Sequence, residues 1–188
     1  MKTSIADISF LQTGFFTKPA LNGDLVYLQS KHFDENGKLI SNLHPDISYD
    51  VSIIIHILHP GDVLFAAKGT KNFAVAYEKK NPPAIASTTF FVIRINDDYK
   101  EVILPDYLVW WMNQRETLQY LKEQAIGTNI VSISKTVLMD LEIAIPSLER
   151  QKSILLIDNL RTREKKLNSE IEKLREVKIQ SQITKAIN

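Results

Sequence analysis

Two hydrophobic periods divide the chain. Over roughly the first hundred residues, apolar positions fall in short β-type runs separated by turn residues. Asp24–Leu28 precedes the turn Asp34-Glu35-Asn36-Gly37, and Ser52–Leu58 is closed by Pro60-Gly61-Asp62. Val63–Ala67 and Phe73–Tyr77 flank the loop Lys68-Gly69-Thr70-Lys71-Asn72, and Ala84–Ile95 carries the run Thr88-Thr89-Phe90-Phe91-Val92-Ile93. Strands at roughly ten-residue spacing, without helices between them, predict a mixed, mostly antiparallel sheet rather than βαβ units.

The period then lengthens. Pro105, with Asp106 beside it, suits the first turn of a helix, where its missing N–H costs nothing and the acid faces the helix dipole. Leu108, Trp111, Arg115, Leu118 and Leu121 follow at spacings of three and four, and Gly127 stands where a helix-stopping glycine belongs. Ser134 caps a short helix through Met139, and Leu141–Ile145 forms a last strand ended by Pro146. From Ser147 to Ile187 the pattern is uninterrupted and helical, about 60 Å long at 1.5 Å per residue. Ile157, Leu160, Leu167, Ile171 and Leu174 recur along it at coiled-coil spacing, with Glu164 the one polar interruption. A domain ending at Pro146 cannot bury such a stripe. A second long helix is required, and a second copy of the chain is the simplest source.

Composition sharpens the division. All 7 prolines and 6 glycines of the 188 residues lie at or before Pro146, and no aromatic residue lies beyond it. The expected organisation is therefore an α+β domain over 1–146 and a dimerisation and spacer helix over 147–188. The first part carries 13 Lys+Arg against 16 Asp+Glu and the second 10 against 6, so net −3 against +4. With 44% hydrophobic and 24% charged residues the chain can bury a core. Zero cysteines exclude thiolate zinc sites, disulfide scaffolds and thiol catalysis. No run of about 18 apolar residues predicts a membrane span, and Met1–Asp7 lacks an apolar leader. A cytoplasmic address is expected.

Catalytic motifs are weak. Asn81-Pro82-Pro83-Ala84 shares three residues with the Asn-Pro-Pro-aromatic signature of amino-methyltransferases, but has Ala84 for the stacking aromatic and no glycine-rich donor loop; it reads as a turn. His56 and His59, on a strand, would point to opposite faces and could not share a cation without a bend. Gly69-Thr70 follows Lys68 without the spacing of a phosphate loop. Glu78-Lys79-Lys80 and Pro105-Asp106 are nuclease fragments in the wrong order. No catalytic residue, metal site or cofactor is expected. One stretch is locally basic: between Leu64 and Arg94, Lys68, Lys71, Lys79, Lys80 and Arg94 face a single Glu78, with Asn72, Asn81, Ser87, Thr88 and Thr89 interleaved. Lysines position a protein on phosphates, while Asn, Ser and Thr can read base edges. On composition alone the stretch is also an ordinary solvated face. Gly127–Lys135 has a similar polar make-up.

The order of segments is more specific than any one of them. Pro60-Gly61-Asp62-Val63-Leu64-Phe65-Ala66-Ala67-Lys68-Gly69-Thr70 leads to the run ending Phe91-Val92-Ile93-Arg94, then the Tyr107–Leu121 helix and Gly127-Thr128-Asn129. Leu138-x-x-Leu141-Glu142-Ile143-Ala144-Ile145-Pro146-Ser147-Leu148-Glu149-Arg150-Gln151 then enters the long helix. This succession resembles the DNA specificity subunit of type I restriction–modification systems. Arg150 stands where that family usually has a glutamate, with Glu149 one place earlier. A complete member resembles two target-recognition domains, each followed by a long helix; this chain resembles one half.

The resemblance implies recognition without catalysis. Two half-subunits would pair their helices antiparallel through Ile157, Leu160, Leu167, Ile171 and Leu174 and read a gapped inverted repeat in double-stranded DNA. Lys68, Lys71, Asn72, Thr128, Asn129, Ser132 and Lys135 are the expected DNA contacts. Adenine methyltransferase subunits, with or without an ATP-driven translocase–nuclease subunit, are the implied partners. The alternative is a coiled-coil adaptor that binds protein and not DNA.

Overall fold

The computed structural model describes residues 2–34, 37–39, 43–69, 71–125 and 131–187. They form an α+β fold. The chain divides into two compact units, Met1–Gln151 and Lys152–Asn188.

The first unit opens with elements that the sequence pattern does not announce. β1 (Lys2–Ser4) leads directly into a single-turn helix, α1 (Ile5–Ile8), and then β2 (Ser9–Thr13). Ser4 and Asp7 close a reciprocal capping box on that turn, so Ile5 and Ile8 can be buried despite its length. Next come β3 (Val26–Leu28), β4 (Val63–Ala66), β5 (Lys68–Gly69), β6 (Ala74–Ala76), β7 (Ala84–Ala86) and β8 (Phe90–Ile95). β2, β8, β4 and β6 make a four-stranded antiparallel sheet in that order. β3 pairs with β7 in parallel, Val26 opposite Ala84. Strand alternation sends the side chains of β3 to opposite sides: Val26 and Leu28 join one core with Leu64, Phe90 and Val92, and Tyr27 joins another with Ile47, Ile53 and Ile85.

Three expectations need correction. Ser52–Leu58 is not a strand. Val51–His56 is a 3-10 helix, because Asp50 caps it by accepting the Ser52 N–H, and only Ile53 of that helix is buried. Ala84–Ile95 is two strands, since a turn in which Phe90 N–H donates to Ser87 O interrupts it. The helix after Pro105 is also two, α2 (Pro105–Met112) and α3 (Arg115–Glu123). The break falls at Asn113, whose amide accepts from Ala74 N and donates to Ala74 O, both within 2.9 Å. That side chain completes the edge of β6 as a neighbouring strand would.

β9 (Val131–Ser132) and α4 (Lys135–Met139) follow, the latter capped by the Ser134 hydroxyl accepting Val137 N–H. β10 (Glu142–Ala144) then pairs antiparallel with β1, Lys2 opposite Ala144, and so closes the unit on its own beginning. Tyr107 donates its hydroxyl proton to Ala144 O and the Trp111 indole donates to Glu142 O.

Two buried polar side chains hold this arrangement. Asp62, in the turn Pro60-Gly61-Asp62, is 2% exposed, yet accepts from Arg94 Nε and Nη2 at 2.7 Å each and from His59 N at 2.8 Å. Gly61 makes this turn at φ +96°, which favours glycine. Hydrogen bonding to Asp62 first, and then its charge, raise the Arg94 guanidinium above its ordinary range against the opposing effect of burial. Gln151 is fully buried. Its carbonyl oxygen accepts Leu104 N–H and its amide donates to Val102 O and Pro146 O.

α5 (Leu148–Ile187) is one helix of 40 residues. Its first turn, through Gln151, belongs to the first unit, so the compact domain extends slightly past the expected boundary at Pro146. Beyond it the apolar stripe is bare: Ile157, Leu160, Leu167, Ile171 and Leu174 are 44–69% exposed.

Asp62→Ala should lower unfolding free energy by about 3 kcal/mol, because it strands the Arg94 charge half-buried. Gln151→Leu should cost roughly the same, since it leaves three backbone groups without partners. Urea unfolding of the full chain measures both, and a loss below about 1 kcal/mol would contradict the assigned roles.

Candidate nucleic-acid interface

The described ends of the two polar stretches singled out in the sequence, Lys68–Gly69 and Val131–Ser132, lie side by side. β5 and β9 pair antiparallel, with Lys68 opposite Ser132 and Gly69 opposite Val131. Ile133 N–H donates to Ala67 O, which adds another rung, and Ala67 N–H donates to Thr89 O. Two segments far apart in the chain are thereby fixed at one edge of the domain. Thr70 and 126–130, which include Gly127, Thr128 and Asn129, lie outside the described residues.

Beside this ladder is a cleft of about 570 Å³. Lys68 and Lys71 line it, joined by Lys31 and Lys122, with Asp34 the single acid among its lining residues. Phe33 and Phe73 form part of its wall and pack on each other and on Phe90, with ring centres 5.7–6.1 Å apart. Those rings belong to the core, so the lysines stand on a rigid base. His32 adds no charge at neutral pH. Burial, and then the neighbouring Lys31, hold its pKa below the usual histidine value despite Asp46, and its Nδ1 accepts Gln29 N–H.

The expected contacts take different places. Lys68, Lys71 and Lys135 are exposed and Ser132 is half-buried. Lys135 is the first residue of α4, just past its cap, and neither it nor Ser132 lines the cleft. Asn72 lines the cleft but is 7% exposed and donates its amide to Ala66 O. That bond makes it the residue that folds the 67–72 loop rather than one that reaches outward. Arg94 is spent on Asp62, and Lys80 pairs with Glu78 at 2.8 Å, so the basic face implied by 64–94 is smaller than composition suggests. Lys31 and Lys122 replace that lost charge. Nothing in the sequence signals them, because they come from a 3-10 turn and from α3 and meet the loop only in the fold.

The arrangement offers a concavity with four lysines and one acid among its lining residues, suited to phosphates. Among the described residues no group of three or more His, Asp or Glu side chains gathers as a metal site. His56 instead packs its ring on Phe15, centres 4.7 Å apart. Among the described residues no helix is long and apolar enough to cross a membrane.

Comparison with known proteins matches this architecture. The family described as type I restriction modification DNA specificity domain matches residues 16–173. No curated protein matches the sequence. Three solved structures share the fold at 16% identity. One, from work on complex assembly and conformational transition of the type I R-M system, has a TM-score of 0.62 over 89% of this chain and 39% of its own. The HsdS subunit of Thermoanaerobacter tengcongensis gives 0.58 over 87% and 37%. The type I restriction–modification S subunit of M. genitalium gives 0.60 over 94% and 42%. This chain thus spans about two fifths of the length of those proteins. On the family match over most of its length, the chain belongs to the type I restriction–modification DNA specificity domains.

Proposed function

We propose that this chain is the sequence-reading part of a type I restriction–modification complex and has no catalytic role of its own. The observation that carries the reading is the cleft holding Lys31, Lys68, Lys71 and Lys122, with Ser132 paired to Lys68 through the β5–β9 ladder at its side. Lysines here neutralise phosphates and set the register of the domain on the duplex. Ser132, beside Lys68 in the ladder, supplies a donor and acceptor for base edges.

The second part of the proposal is self-pairing. The exposed stripe from Ile157 to Leu174 calls for a helix to cover it, and a second copy of α5 offers a stripe of the same kind. Two copies would then present two recognition domains related by a two-fold axis, and a two-fold protein reads a two-fold site: identical inverted half-sites separated by an unread gap. Adenine methyltransferase subunits would bring the methyl donor and the chemistry, with an ATP-driven translocase–nuclease subunit joining in a restricting complex. The adaptor alternative has the stripe in its favour but leaves the lysine cleft without a purpose.

Co-expression with the methyltransferase subunit of the same system, followed by sequencing for methylated adenine, tests the reading. A gapped, inverted-repeat motif that vanishes without this chain is expected; no chain-dependent methylation would favour the adaptor. In duplex-binding titrations, replacing Lys68 and Lys71 together by Ala should weaken binding on all sequences and reduce the slope of log affinity against log salt by about 2. An unchanged slope would remove those lysines from the interface. Leu167→Glu should convert the dimer to a monomer in light scattering, with the domain still folded.

A further inference from the structure

The self-pairing proposed above, with the antiparallel direction that the resemblance implies, leaves open where the second helix stops, and the exposed face of α5 carries the information to decide it. Its seam has two lines: Ile157, Glu164, Ile171 and Lys178 on one, Leu160, Leu167, Leu174 and Ser181 on the other. Beside the first line runs a flank of Leu156, Arg163, Glu170 and Val177. That flank reads apolar, basic, acidic, apolar. Read backwards it is its own complement. Leu156 and Val177 are 60% and 66% exposed, so this flank, like the seam, is uncovered.

We propose that in this antiparallel pairing α5 meets α5 of a second copy in a single register, whose two-fold axis passes between Lys165 and Lys166. Ile157 then lies over Leu174 of the second copy, Leu160 over Ile171, and Glu164 over Leu167. In an antiparallel pair the flanks meet like to like in position. Arg163 therefore faces Glu170 of the second copy, twice, and Leu156 faces Val177, twice. Every exposed apolar residue from Leu156 to Val177 gains an apolar partner except Leu167, which faces Glu164.

Other arrangements fail on the same residues. Sliding one helix by a heptad in one direction sets Arg163 against its own copy, Ile171 against Ser153 and Leu174 against Arg150. Sliding the other way sets Glu170 against its own copy, Leu160 against Lys178 and Ile157 against Ser181. A parallel pair puts Glu164 against Glu164 and Lys178 against Lys178 inside the seam, where like charges are most costly. Only one register satisfies both the seam and the flank. It also sets a distance: the two Leu148 positions stand about 50 Å apart along the pair at 1.5 Å per residue. Arg163 and Glu170 are thus positioning residues for the spacing between half-sites.

Charge exchange in the full-length chain tests this. Arg163→Glu alone and Glu170→Arg alone should each self-associate roughly tenfold more weakly than the natural chain in sedimentation equilibrium. Mixed in equal amounts, the two variants should form a heterodimer, because both cross-pairs are then of opposite sign. Since the chain has no cysteine, a second readout is clean: Leu160→Cys mixed with Ile171→Cys should form an oxidative cross-link, and Leu160→Cys alone should not. A self-cross-link of Leu160→Cys, or an Arg163→Glu chain that dimerises as before, would overturn the register while leaving self-pairing intact. A monomeric natural chain would overturn self-pairing itself and with it the register. Circular dichroism of each variant excludes loss of the helix as the cause.

Discussion

Gln151 marks the point at which the chain changes from burying its apolar residues internally to displaying them. Its amide is fully enclosed and bonded to three backbone groups: Pro146 O beyond β10, Val102 O, and Leu104 N at the start of α2. A buried amide with its partners in place is inexpensive, and the same amide without them is not. The first turn of α5 is consequently held to the closed domain, through the same region that β1 and β10 zip together. From Lys152 onwards no side chain is buried among the described residues, and a helix with this much bare apolar surface would gain stability from a second helix that covers it.

The edge proposed for recognition rests on a similar economy. The domain as a whole is net acidic, so an attractive surface for a polyanion has to be assembled locally. The fold does so by removing cations that would otherwise be spread over the surface and adding others from a distance. Arg94 is drawn inward by Asp62, while Lys31 and Lys122 are brought to the Lys68–Lys71 loop by a 3-10 turn and by α3. The Pro60-Gly61-Asp62 turn is therefore structural. Its acid receives two guanidinium N–H groups and one backbone N–H, and presents nothing outward.

What is legible in the sequence follows from which forces are local. Apolar runs at Val63–Ala66 and Ala74–Ala76, the Pro105 helix start, the Ser134 cap and the long 3.5-residue stripe all declare themselves within a few residues, and all are present. Val51–His56 differs from its pattern because Ser-Ile-Ile-Ile has strand composition while the Asp50 cap decides for a 3-10 turn. Asn113 gives no sign that it breaks a helix, since its partner, Ala74, is 39 positions away. Asn72 shows the same limit at the site. Its residue type suits base reading, but the folding of the 67–72 loop claims the amide for Ala66. The pairing of β5 with β9 is likewise tertiary, and no local pattern specifies it.

The two units pose one physical problem between them. A single recognition domain with a few lysines binds DNA weakly and slides, because phosphate contacts carry no sequence and short half-sites recur often. Linking two such domains raises the second binding event to a high effective concentration, but only when the linker holds them at a span that matches the target. A stiff helix pair supplies such a span, and a flexible linker would not. The value of that rigidity depends on a unique register. One heptad of slip shifts the span by about 10 Å, close to three base pairs at about 3.4 Å each, and would blur the gap that the pair can read. Continuous hydrophobic seams are poor at preventing slip, since leucines tolerate one another in many alignments. A seam limited to a few apolar layers, interrupted by Glu164 and carrying Arg163 and Glu170 on one flank, would give up some stability and gain a single alignment in the proposed pair. On the proposed pairing, the charge pattern on α5 is that exchange: stability given up for a specific alignment, which would fix the spacing on DNA.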